Sequence, residues 1–241
     1  MKNCKRNMAA ISVSLRLARR ALRQNLLSTL VAVFTVSLSG GLFLGAWKTK
    51  QSVKLAFAHS AGGFDAVLGA RGSQLQIVLN ALFHLENSPG NLDWEQYETI
   101  RSHPGVSEAY PFALGDNYLG YRLVGTIPEL FLNHQWRSGK NYQVRSPGRI
   151  FSDSAKEALV GAEVARELGL QLGDRFHPYH GLEYNPDRKH NDIYLVVGIL
   201  EPTGTPTDQV IWIPLRGVQT MEGHDPEEAN SISGVLLNLK G

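Results

Sequence analysis

The groups best suited to chemistry lie between Phe176 and Tyr194, in the run HPYHGLEYNPDRKHND. His177, His180, Glu183, His190 and Asp192 fall within it. Imidazole nitrogens and carboxylate oxygens at such spacing suit zinc or a similar ion, whose sites take about four N, O or S ligands. A loop could wrap His177, His180, Glu183 and His190 round one ion, with His84 and Glu86 as more distant helpers. The competing reading is a solvated loop, polar as loops are, with His177 restricted by Pro178.

Other chemistry is poorly served. Gly40 to Thr49 is glycine-rich, but the phosphate-loop spacing G-x-x-x-x-G-K-[ST] fails there. Serines, histidines and aspartates are scattered without a nucleophile elbow. The chain therefore reads as non-catalytic, and any ATP hydrolysis belongs to a partner.

Everything else is arranged around Leu26 to Trp47, LLSTLVAVFTVSLSGGLFLGAW, which carries no ionisable side chain. A helix needs roughly 20 apolar residues to cross a bilayer, and lipid offers backbone groups no outside partner, so an inserted segment must be helical. Lys2, Lys5, Arg6, Arg16, Arg19, Arg20 and Arg23 precede it, whereas Lys48, Lys50 and Lys54 follow. The positive-inside rule then puts residues 1–25 in the cytoplasm and the remainder outside, with the segment in the cell (inner) membrane. Ala56-Phe57-Ala58 offers a signal-peptidase site, but the basic leader and apolar run are too long for a signal peptide.

Ser37, Gly41 and Gly45, at i, i+4 and i+8, give the helix a small-residue stripe against which another helix could pack. Glycine and serine are also simply common in membrane helices. Before the apolar run, Ile11, Leu15, Ala18 and Leu22 line one helical face, opposite Arg16, Arg19, Arg20 and Arg23. That pattern predicts an interfacial amphipathic helix, held by anionic lipid rather than by nucleic acid.

The net charge of +2 conceals this basic leader. The single cysteine, Cys4, lies before the apolar run, so the outer domain has no disulfide and depends on its core. From Lys48 onward, runs rich in alternating apolar residues mix with short capped helices. Trp47 to His59 continues the first helix as a stalk, and Phe64 to Leu68 reads as a strand. Ser73 caps a helix whose face is Leu75, Val78, Leu79, Leu82 and Phe83. Asp93 and Gln96 form a capping box for the next.

Val106 to Leu114 and Tyr118 to Val124 read as strands joined by a Gly115-Asp116-Asn117 turn. Gly139 to Gly148 reads as an exposed loop. Tyr194 to Leu200, Val210 to Ile213 and Val235 to Leu239 read as strands. The fold class is α+β: one N-terminal transmembrane helix (26–47) after a cytoplasmic basic helix (1–25), then a mixed α/β extracytoplasmic domain (48–241) of two subdomains.

The order of these pieces resembles the MacB-like, FtsX-like permease subunits of ABC transport systems. The resemblance rests on the basic leader and first membrane helix, Gly69-Ala70-Arg71-Gly72-Ser73, Gly115-Asp116-Asn117, and Ala158 to Ala165 followed by Leu168 to Asp174. Val196 to Leu200 and the Pro202–Pro206 loop complete it. It implies an extracytoplasmic core domain inserted between the first membrane helix and three later ones, a homodimer or association with further permease helices, and a cytoplasmic ABC ATPase subunit as partner. In such proteins nucleotide-driven movement passes to the outer domain. This chain ends about where the second membrane helix of the pattern would start. The alternative is a membrane-anchored extracytoplasmic binding module handling a transition metal such as zinc.

The charge asymmetry makes a direct prediction. Protease added to the outer face of intact cells should cut beyond Trp47 and spare residues 1–25. A soluble mature product beginning near His59 would overturn it.

Overall fold

A computed structural model describes residues 17, 19–60, 62–221 and 230–240. Cys4 and most of the leader face, including Ile11, Leu15, Arg16 and Ala18, lie outside the described residues; 19–24 are helical. The chain divides into two compact units, Met1–Leu55 and Ala56–Gly241.

Helix α1 (Leu26–Ser60) dominates the first unit and extends beyond the apolar run. Within Leu26–Gln51 an 18-residue window reaches a mean hydropathy of 1.9 and holds no buried residue, and among the described residues this is the one helix long and apolar enough to cross a membrane. Thr29 and Thr35 Oγ1 donate to the carbonyls of Asn25 and Val31, so these hydroxyls are satisfied within the helix.

The second unit is built on a nine-stranded mixed sheet. In chain order its described elements are β1 (Ala66–Gly69), α2 (Gln74–Ala81), β2 (Leu92–Asp93), α3 (Trp94–Arg101), β3 (Val106–Tyr118) and β4 (Tyr121–Thr126). Then come α4 (Glu129–Asn133), β5 (Gln135–Arg137), β6 (Lys140–Asn141), β7 (Glu157–Val160), α5 (Ala162–Leu168), β8 (Arg175–Phe176) and β9 (Tyr179–His180). The chain closes with β10 (Tyr194–Ile199), β11 (Ile211–Pro214), α6 (Leu215–Gln219), β12 (Ser231–Ile232) and β13 (Gly234–Leu239). The strand order is β1-β13-β3-β4-β11-β7-β10-β8, with β9 added to β3.

Both faces of this sheet are covered, and the period-2 alternation of strands assigns residues to them. Ala109, Ala113, Leu123, Ile211, Ile213, Val235 and Leu237 join one core with Tyr97 of α3, Val164 of α5 and Val218 of α6. Their neighbours Tyr110, Phe112, Val124, Trp212 and Leu236 join a second core with Ala81 of α2 and Phe131 of α4. The two subdomains expected from the sequence do not separate: Ala56–Gly241 is one compact unit, and β4 pairs parallel with β11 within its one main sheet.

Several local expectations change. The inward face of α2 includes Asn80 and Ala81, while Leu75 is 66% exposed. Packing under β1 decides this, since Ile77 lies against Gly69. The stretch Gly139 to Gly148 is no free loop: Tyr142 is buried, and the Arg145 N–H donates to Ile199 O at 2.8 Å.

The main correction concerns the hairpin. Gly115-Asp116-Asn117 is not its turn but part of β3, which runs unbroken to Tyr118. The turn is Leu119-Gly120, with φ of 50° and 90°, between the paired residues Tyr118 and Tyr121. Positive φ at both positions is the signature of the type I′ turn, whose twist matches that of paired strands. Asn117 Oδ1 accepts the Gly120 N–H at 3.1 Å and braces the turn.

Gly120→Ala should therefore destabilise the domain through backbone strain alone, because a Cβ there meets nothing within 4 Å. The expected loss is about 1–2 kcal/mol, read as a lower midpoint in denaturant melts of the full chain. An unchanged midpoint would contradict the turn assignment.

Candidate functional site

Reassigning the turn changes what Asp116 does. The register of β3 on β4 shifts between Leu114 and Asp116, where Gly115 is the extra residue of a bulge. Leu114 pairs with Val124 of the second core, whereas Asp116 pairs with Leu123 of the first. One inserted residue thus turns the Asp116 side chain to the opposite face from Leu114. Beyond Phe112 the outer edge of β3 is taken over by β9, with Asp116 opposite His180 and Asn117 opposite Tyr179.

Three donors of metal-ligand type meet there: Asp116, His180 and His190, their ligand atoms all within 4.8 Å of one another. Asp116 Oδ1 lies 3.4 Å from His190 Nε2 and 3.6 Å from His180 Nδ1. The imidazole rings stand edge to face, 5.5 Å between centroids. Asp116 and His190 are buried, and the His180 side chain is 44% exposed. A carboxylate taken out of water needs compensating partners. The Gly181 N–H supplies one, donating to Asp116 Oδ1 at 3.3 Å.

The loop is held by its own backbone. Asn117 Nδ2 donates to the carbonyls of Tyr179, Gly181 and Glu183, at 3.3, 2.8 and 3.2 Å. The His190 N–H donates to Pro178 O at 2.9 Å. Arg122 closes the other side, giving its Nε–H to His84 O at 3.2 Å and Nη1 to the Leu182 carbonyl. Its burial holds the guanidinium below its usual pKa, against the opposing charges of Glu183 and Glu86. Burial, with Asp192 and Asp116 nearby, raises the Tyr194 phenol.

Of the residues singled out in the sequence, His180 and His190 converge. His177 instead turns Nδ1 to the His190 carbonyl at 3.1 Å, a contact that fixes the loop around His190. Glu183 lines a cleft of about 890 Å³ together with Glu86, Arg122, His180, Tyr184 and Arg188. Asp192 pairs with Lys156. His84 is buried, its ring edge-on to Trp212.

Asp116 escaped sequence reading because Gly-Asp-Asn resembles a turn; the better signal was Gly120 two residues past an unbroken run to Tyr118. On α1, Ser37, Gly41 and Gly45 are exposed, and a Cβ at either glycine meets nothing within 4 Å.

Residues 25–240 match the family described as the MacB-like periplasmic core domain, so the chain belongs to that family. Two solved structures are similar to it. One is the extracellular domain of the noncanonic ABC-type transporter YknZ from Gram-positive bacteria, at 16% identity and TM-score 0.42, covering 73% of this chain and 84% of that one. The other is the periplasmic region of MacB from Actinobacillus actinomycetemcomitans, at 12% identity and TM-score 0.44, covering 72% and 73%. Comparison with curated proteins finds no match.

His84 gives this region a pH dependence. Burial, helped by the charge of Arg122 and opposed by the Asn80 carbonyl, lowers its pKa from 6.5 to about 4. The unfolded chain therefore takes up the proton first as pH falls. The stability tied to neutral His84 is full above about pH 6.5 and is lost towards pH 4, at most about 3 kcal/mol. His84→Asn, whose residue type tolerates the local φ of 55°, should flatten that part of the stability-versus-pH curve in denaturant titrations. An identical slope in the variant would refute the assignment.

Proposed function

We propose that the chain is a membrane subunit, of permease type, in an ABC-type transport or mechanotransmission complex energised by a separate cytoplasmic ATPase. One observation carries this beyond family membership: the domain's first and last strands are neighbours. After the apolar helix, β1 pairs antiparallel with β13, from Ala66 opposite Leu237 to Gly69 opposite Gly234. Asp65 extends the pairing, its N–H donating to Leu237 O and its Oδ2 accepting the Leu239 N–H. A domain inserted between two membrane helices needs both connections at one place, and this edge of the sheet provides them.

In this reading residues 1–25 lie on the cytoplasmic side, against lipid and the ATPase, and the β-rich domain lies outside, in the periplasm of a two-membrane cell. Movement of the membrane helices reaches the domain through the paired β1 and β13. Ser37, Gly41 and Gly45 form the stripe on which a second copy, or further permease helices, pack at close range.

The tagged full chain, solubilised from its host membrane in mild detergent, should carry with it a P-loop subunit that hydrolyses ATP. Gly41→Leu or Gly45→Leu should reduce the co-purified ATPase activity, because a bulky side chain keeps backbones apart. A wild-type preparation with neither ATPase activity nor a nucleotide-binding partner would overturn the proposal.

A further inference from the structure

We infer that Asp116, His180 and His190 form a binding site for a divalent transition-metal ion of the zinc type, independent of any ATPase partner. Two imidazoles and one carboxylate suit such ions, and open zinc sites use three protein ligands with a fourth position left to water or another ligand.

The spacing of the three groups also suits an ion. Here the nitrogens stand 3.4 and 3.6 Å from Asp116 Oδ1. Ligand atoms at the corners of a tetrahedron with arms of about 2.0–2.1 Å are roughly 3.3–3.4 Å apart. Both Asp116–histidine distances are therefore close to the spacing that an ion imposes, and all three ligand atoms lie within 4.8 Å of one another.

The surroundings serve the same end. Ligands to a metal are normally oriented by outer hydrogen bonds. The Gly181 N–H fixes the Asp116 carboxylate, Asn117 clamps the loop that carries His180, and His177 touches the carbonyl of His190. Asp116 and His190 are buried, while partly exposed His180 also lines the cleft shared with Glu183 and Arg188. Through His180 the site borders that cleft, from which an ion would arrive. Once bound, it would cross-link β3, β9 and the loop before β10, three segments distant in sequence.

The test uses the full chain in detergent, stripped with a chelator, exchanged into metal-free buffer and titrated with zinc chloride in a calorimeter. One zinc per chain is expected, and cobalt(II) in its place should give the intense visible absorption of a tetrahedral site. His180→Ala, which removes a partly exposed ring, and Asp116→Asn, which keeps the shape, should each abolish the binding heat. His103→Ala, at the end of α3, should leave it unchanged. If Asp116→Asn fails to fold, His180→Ala decides, provided its metal-free melt matches the wild type. No zinc heat in the wild type, or equal heat in a folded His180→Ala variant, overturns the site.

Discussion

The domain depends on the hydrogen-bonded pairing of β3. This 13-residue strand lies between β13 and β4 and also receives β9, so the sheet's C-terminal strand and the histidine loop both register on it. Its inner half alternates Ala109 and Ala113 against Tyr110 and Phe112, which pins the register because a slip by one residue would exchange the two cores. Beyond this stretch the alternation is broken at Gly115. The bulge there brings a carboxylate to a face otherwise lined by apolar groups.

A second polar cluster ties the domain's two chain ends. His134 is fully buried, with Nε2 2.6 Å from the Gly62 carbonyl and Nδ1 3.1 Å from Asn238 Nδ2. Its ring stacks on Phe64 at 4.0 Å, and Asn238 Nδ2 also donates to Glu108 at 2.7 Å. Gly62 and Phe64 precede β1, Asn238 belongs to β13, and Glu108 to β3, so one imidazole joins the strands that open and close the domain. Buried hydrogen bonds of this kind are costly to leave half made. The edge is thereby held together as one piece.

The apolar helix obeys a different physics from the domain. Its described large apolar side chains, such as Phe34, Val36 and Leu42, are exposed, so its stability comes from internal backbone hydrogen bonds and from lipid. The outer domain has no disulfide to draw on and is held by two cores either side of one sheet.

The sequence by itself determined the elements whose signals are local. The apolar run of 26–47 and its flanking charges mark the membrane helix, because length and hydropathy suffice. The capping box is another such signal: the Asp93 N–H donates to Gln96 Oε1 at 3.0 Å. Gly169, at φ 67°, likewise ends α5 as its sequence position indicates. Tertiary structure alone decided what depends on register. Gly115-Asp116-Asn117 has turn chemistry, yet the strand continues through it because β4 and β9 supply partners on both edges. For the same reason a histidine-rich stretch could not disclose which of its members meet. His180 and His190 converge on a carboxylate more than sixty residues upstream, and His177, only three residues from His180, turns to a backbone carbonyl instead. Side-chain type is written locally, but its neighbours are set by a bulge and a strand pairing that join distant segments.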